Sequence, residues 1–289
     1  MTGARAASIR ARLLARAQAA GEDFNLVLNR YAIERFLYRL SISSSRDAFV
    51  LKGAMLFDLW FDVPHRATRD ADFLGFGAED ADALRKTLQG ICGIEADDGL
   101  EFDAGSISVE TIREQANYGG LRASLVGHLG TARCTAQIDV GYGDAVTPAP
   151  EEAVCPVLLD DLPAPRLRVY PRASVMAEKL EAIVSLGMAN SRMKDYFDLL
   201  ALAREGQVNP SEAAAAIVAT FRRRRTAIPA TTPVGLSAEF ARDPAKLAQW
   251  RAFLGKNRLE APALEVVVAE LRRYFAVPLM LARQQQGAS

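Results

Sequence analysis

Histidine and cysteine are scarce in this chain, at 2 and 3 of 289 residues. Cys92, Cys134 and Cys155 are odd in number and lack metal-ligand spacing. They read as small buried hydrophobes of a reducing compartment rather than as a disulfide frame. His65 and His128 belong to no His-x-x-x-His or Cys-x-x-Cys arrangement, which sets aside zinc chemistry and Ser-His-Asp hydrolysis. No apolar run approaches the roughly 20 residues of a bilayer helix. The start, Met1 to Arg16, is basic and Ala-rich without the continuous apolar core of a secretory signal, so a cytoplasmic protein with no membrane partner is expected. An excess of one charge is lacking too. With 35 Lys and Arg against 35 Asp and Glu, indiscriminate nucleic-acid binding is not expected, and any basic patch has to be found by position.

What is present is ordinary globular composition, half hydrophobic and 24% charged, in a length that suits one large domain or two modest ones. Apolar spacing predicts helices over Ser8 to Ala20 and Phe24 to Leu40, then a short strand or turn and a helix between Phe49 and Trp60, broken by Gly53. Strands are expected over Arg69 to Phe76, Ser106 to Thr111, Arg122 to His128 and Thr131 to Val140. A helix is expected over Asp80 to Ile91, with turns at Gly119-Gly120, Gly127 to Gly130 and Gly141 to Gly143. Pro148 to Pro165 reads as a linker or extended crossing. Beyond Pro171, helices are predicted over Ala173 to Ser185, Arg192 to Arg204, Ser211 to Arg224, Ala245 to Phe253 and Leu264 to Phe275. The expected fold class is α+β: N-terminal helices (1–47), a small mixed-sheet α/β core (48–165) and a large C-terminal helical region (166–289).

Asp70 and Asp72, one residue apart in a predicted strand, point to the same face while Ala71 and Phe73 point to the other. Two carboxylates held side by side repel unless they are solvated or share a cation. In Gln137-Ile138-Asp139-Val140 the acid lies between two β-branched residues and so faces away from the apolar side. If the two strands are neighbours, three hard oxygen donors converge, a set suited to Mg²⁺ or Mn²⁺. Such a site serves phosphoryl and nucleotidyl transfer. The plainer reading, a solvated strand end, is weakened by the preceding Leu51-Lys52-Gly53-Ala54 turn, whose backbone N–H groups could hold phosphate oxygens.

Lys179 falls inside the apolar arc of its helix with Val175, Met176, Leu180 and Ile183, while Glu178, Glu181 and Ser185 lie on the other side. A lysine there either reaches an anionic ligand or is a snorkelling stem or buried ion pair. Asp195 and Asp198 share a helix face that by itself reads as solvated surface. In the run Arg222 to Arg225, only Arg222 and Arg225 are spaced to face one way, as an RNA contact or as a solvated helix end. Arg66 and Arg69, just before the acidic pair, are better placed for triphosphate or acceptor. Trp60 and Trp250 read as core.

A Gly turn, Asp-x-Asp and a later lone acid resemble the nucleotidyltransferase superfamily, although Gly53-Ala54 lacks the second small polar residue usual in that turn. Taken with Arg66-Ala67-Thr68-Arg69-Asp70-Ala71-Asp72, Lys179 and Lys194-Asp195-Tyr196-Phe197-Asp198, the pattern resembles the AbiEii/AbiGii toxin family, which includes the MenT nucleotidyltransferase toxins. The resemblance runs from about Tyr31 through Phe221 to Phe253. It implies a toxin of a toxin–antitoxin or phage-defence pair that moves NMP from an NTP to RNA, above all the 3′ end of tRNA, with a cognate antitoxin as partner. By position, Asp70, Asp72 and Asp139 would hold the metal. Lys52, Gly53, Arg66, Thr68 and Asp198 would bind nucleotide. Lys179 would contact phosphates, and Asp195 or Asp198 would be the essential late acid. Thr68 would touch phosphate or be a site of silencing modification. The alternatives are transfer to a small-molecule or protein hydroxyl, and a non-catalytic binding module of the same fold.

Overall fold

The computed structural model describes residues 2–61, 68, 70–113 and 119–287, with residues 2 and 113 described by backbone alone. Packing divides the chain into two units, Met1–Gly143 with Glu151–Val169, and Asp144–Pro150 with Tyr170–Ser289. This division sets no boundary at residue 47, because the N-terminal helices pack with the sheet. Its later boundary falls at 169/170.

In the first unit, α1 (Thr2–Ala20) leads into α2 (Phe24–Ile42), whose start is capped by Asp23 accepting from the Leu26 N–H at 3.0 Å. Next come β1 (Phe49–Lys52), a tight turn over Gly53–Leu56, α3 (Phe57–Trp60) and β2 (Asp70–Gly75). They are followed by α4 (Ala81–Cys92), β3 (Leu100–Arg113), β4 (Gly119–Leu129), β5 (Ala132–Tyr142), β6 (Glu151–Val154) and β7 (Arg166–Val169). The strands form one mixed sheet in the order β3-β4-β5-β2-β1-β7-β6. β2 runs parallel to β5 and antiparallel to β1, and β1 runs parallel to β7. The α+β architecture is therefore the one expected, a mixed sheet with N-terminal helices followed by a helical C-terminal region.

One sheet face is apolar. Phe49, Phe73 and Ile138 meet Phe36 and Leu40 of α2 and Leu88 and Ile91 of α4. Arg39 pins α2 to the approach to β3, donating to both Asp98 oxygens at 2.6 and 3.1 Å and to the Leu100 carbonyl at 2.9 Å. Cys92, Cys134 and Cys155 are free and buried, and burial pushes the Cys134 thiol up to about 11.

Three expectations differ from the structure here. The proline-rich stretch holds β6, and β7 follows it directly. Its prolines stand at 148, 150, 156, 163 and 165 and leave Glu151–Val154 a full set of N–H donors, so β6 can pair with β7 at the sheet edge. Gly119 and Gly120 are not a turn but the first residues of β4, where Gly120 faces Gly141. The connection from β3 to β4 is 114–118, outside the described residues. The third difference is length: β3 begins six residues before its expected start.

In the second unit, α5 (Arg172–Leu186), α6 (Met193–Glu205), α7 (Pro210–Arg224), α8 (Ala238–Arg242), α9 (Pro244–Asn257) and α10 (Leu264–Gly287) pack together. Asn209 and Asp243 cap α7 and α9, each followed by a proline in the first turn, where the missing N–H costs nothing. α10 runs twelve residues past its expected end. It crosses Pro278, and buried Phe275, Pro278, Leu279 and Ala282 hold the far half in place. Trp250 is buried, as expected, and donates to the Pro262 carbonyl at 3.1 Å. Among the described residues, no helix is long and apolar enough to cross a membrane.

Candidate metal and nucleotide site

The register of the sheet builds a row of charged residues on the face opposite α2 and α4. Lys52 pairs with Asp72, Asp72 with Asp139, Asp139 with Arg122, and Arg122 with Glu110, on five adjacent strands. Asp70, two residues before Asp72, stands on the same face beside Gln137. One carboxylate oxygen from each of Asp70, Asp72 and Asp139 can be chosen so that all lie within 4.8 Å of one another. The three side chains are half-buried, and their hard oxygen donors suit a divalent cation.

Gly53 explains how the turn after β1 comes so close. Its φ is +77°, a conformation that L side chains rarely adopt, and a Cβ there would stand 2.0 Å from Asp72 Oδ2. The glycine is therefore needed twice, for its backbone angle and for the carboxylate packed against it. The Thr68 hydroxyl donates to Asp70 Oδ1 at 2.6 Å and fixes that carboxylate from the other side.

Arg122 is the residue that sequence reading missed. Its Nε and Nη2 donate to Asp139 Oδ1 and Oδ2 at 2.9 and 2.7 Å. The hydrogen bonds to Asp139 hold the guanidinium above its ordinary range against desolvation, with the charges of Asp139, Asp70 and Glu110 adding to them. The signal was available. The β4–β5 hairpin turns at Gly130-Thr131, and counting back equally from Leu129 and Ala132 brings Arg122 opposite Asp139.

Lys179, Asp195 and Asp198 form a separate cluster in the second unit. Lys179 Nζ lies 2.8 Å from Asp195 Oδ1 and 2.8 Å from Asp198 Oδ2, and Arg192 Nε reaches Asp195 Oδ2 at 2.7 Å. Burial alone would raise the Asp195 carboxyl, but Lys179 and then Arg192 outweigh it and hold the group below the usual carboxylate range. Both aspartates have no exposed side-chain surface. The solvated acidic face expected for α6 is thus corrected, because Lys179 on α5 draws both acids inward. Asp198 has no surface with which to touch a nucleotide, and Asp195 meets its surroundings through the two cations it holds.

Glu181 also lies inside rather than outside. Arg224 Nη1 donates to it at 2.9 Å and the Thr226 hydroxyl at 2.6 Å, while Arg224 Nη2 reaches Asp144 at 3.2 Å. In the arginine run the helix stops at Arg224. Arg225 takes φ 55° as its C-cap, so Arg224 turns inward and Arg222 and Arg225 do not share a helical face. Lys52 is the last residue of β1, just before the glycine turn and not within it, whereas Arg66, with Arg69 and His65, lies outside the described residues.

A mixed sheet that gathers three carboxylates beside a glycine turn is the framework of a nucleotidyltransferase. Residues 35–276 match the family model described as nucleotidyl transferase AbiEii toxin, type IV TA system. The chain belongs to that family of nucleotidyltransferase toxins. Two solved structures from Helicobacter pylori are similar to it. JHP933 is 13% identical with a TM-score of 0.48, over 91% of this chain and 95% of that one. A candidate nucleotidyltransferase is 14% identical with a TM-score of 0.46, over 91% of this chain and 97% of that one. No curated protein matches the chain.

Proposed function

We propose that this toxin transfers a nucleoside monophosphate from an NTP to a terminal hydroxyl of RNA, with tRNA as the acceptor and a cognate antitoxin restraining it. The observation that carries this reading is the convergence of Asp70, Asp72 and Asp139 within 4.8 Å beside the Gly53 turn. Held by these carboxylates, a divalent cation, Mg²⁺ or Mn²⁺, would supply neutralisation of the triphosphate charge. The acceptor oxygen bonds to the α-phosphorus as the bond to the β-phosphate oxygen breaks, and pyrophosphate leaves with that electron pair. The acceptor proton passes to a carboxylate. Asp139 suits this better than Asp195, since its side chain keeps 15% of its surface open and that of Asp195 none. Asp70, fixed by the Thr68 hydroxyl, and Asp72, seated against Gly53, orient the triphosphate end, and the turn's amides face its phosphates. Most of the rate gain comes from positioning and charge stabilisation, which is what phosphoryl chemistry asks of a protein.

Labelled NTPs incubated with the protein, total RNA, total protein and small metabolites test the acceptor. Label in RNA of tRNA size, abolished by Asp70→Asn, is the expected result. Label confined to protein or to small molecules would replace the RNA reading with transfer to those hydroxyls.

A further inference from the structure

The carboxylate that completes the triad is held by a cation of the chain itself. Arg122 grips Asp139 with a two-pronged fork, the strong geometry for an arginine and a carboxylate. Gln137 Nε2 leans on the same group, 3.3 Å from Oδ1. A carboxylate offers about four lone-pair sites and the fork uses two, so Asp139 can still meet a metal ion, but only beside a like charge. The guanidinium side chain is 36% exposed, so its charge also acts on what approaches the face. A free divalent cation is repelled by it. The same cation carried by a triphosphate arrives in a complex of net negative charge and is attracted.

We propose that Arg122 is a positioning residue that orients Asp139 and makes the triad take its divalent ion as a metal–triphosphate complex in preference to the free ion. This rests on the nucleotide-site reading of the triad. Within it, Arg122 offsets the charge of three crowded carboxylates, and it biases loading towards the productive complex.

The test is calorimetric titration of the full chain with MnCl₂ alone, and separately with manganese plus an α,β-methylene triphosphate. Arg122→Met is expected to bind free Mn²⁺ about tenfold more tightly than wild type and the triphosphate complex more weakly. Its melting temperature in EDTA should fall below wild type, and added Mn²⁺ should restore more of it than in wild type. Arg122→Lys keeps the charge and loses the fork, so its affinity for free Mn²⁺ should stay near wild type. If Arg122→Met does not fold, Arg122→Gln takes its place with the same expectation. Unchanged or weakened binding of free Mn²⁺ in the neutral variants would overturn the role of Arg122 and leave the triad's reading intact. A wild-type protein that binds no manganese–triphosphate would remove both.

Discussion

Asp139 in the first unit and Asp195 in the second each accept hydrogen bonds from an arginine, and each lies beside a second aspartate of its own cluster. One side chain keeps 15% of its surface open, whereas the other keeps none. Around Asp195 and Asp198 the cations are close and the geometry is complete, with Lys179 reaching both acids at 2.8 Å. Around Asp70, Asp72 and Asp139 the acids are crowded, half-buried and open to a further cation. The two clusters share their residue types, so residue type does not tell them apart. Burial and charge balance do. A sealed cluster should matter first for folding, and an open one first for chemistry.

The comparison is broken most strongly at Asp195. Asp195→Ala removes one of the two buried carboxylates that Lys179 reaches at 2.8 Å, and losing one member of a buried ion pair costs about 3–5 kcal/mol. Urea melts should show that loss, with activity falling along with the folded fraction. The pH dependence follows in sign. Because the folded Asp195 carboxyl titrates below its unfolded value of about 3.9, its contribution is present above that pH and is lost as pH falls through the folded value. The variant should therefore show a shallower decline of stability below about pH 4 than wild type.

Asp72→Asn should do the reverse. Transfer activity is expected to drop by about 10²–10³-fold or more, while the melting temperature falls by less than in the Asp195 variant, because this carboxylate is half-buried and not sealed. Equal damage to stability would make the open cluster another sealed one. The smallest effect is expected at Gly53→Ala. The strained φ costs about 1–2 kcal/mol, and the new Cβ displaces Asp72. Activity should then fall well beyond the loss of folded protein, as the ratio of kcat to folded fraction would show.

Much of the site was legible because strands have a period of two. Asp72 and Asp139 each stand between apolar neighbours and Asp70 lies two residues before Asp72, so their common face could be read without coordinates, and the parallel pairing of β2 with β5 brings them side by side. Hairpin register carried Arg122 just as plainly, but strand residues were weighed one at a time. The second unit was less legible. Lys179 was rightly suspect on an apolar arc, yet its partners sit on a different helix, and helical angle within α6 gives no hint of what packs over Asp195 and Asp198. Glu181 failed for the same reason, since Arg224 comes from α7. β6 was hidden by its flanking prolines, which mark loops in composition while sparing the four residues that pair.

A crystal of the full chain soaked with Mn²⁺ and an α,β-methylene triphosphate, measured at the manganese edge, puts the matter most directly. An anomalous peak between the carboxylates of Asp70, Asp72 and Asp139, with the triphosphate beside Gly53, is the predicted result. A bound nucleotide whose manganese lies away from those three groups would contradict it.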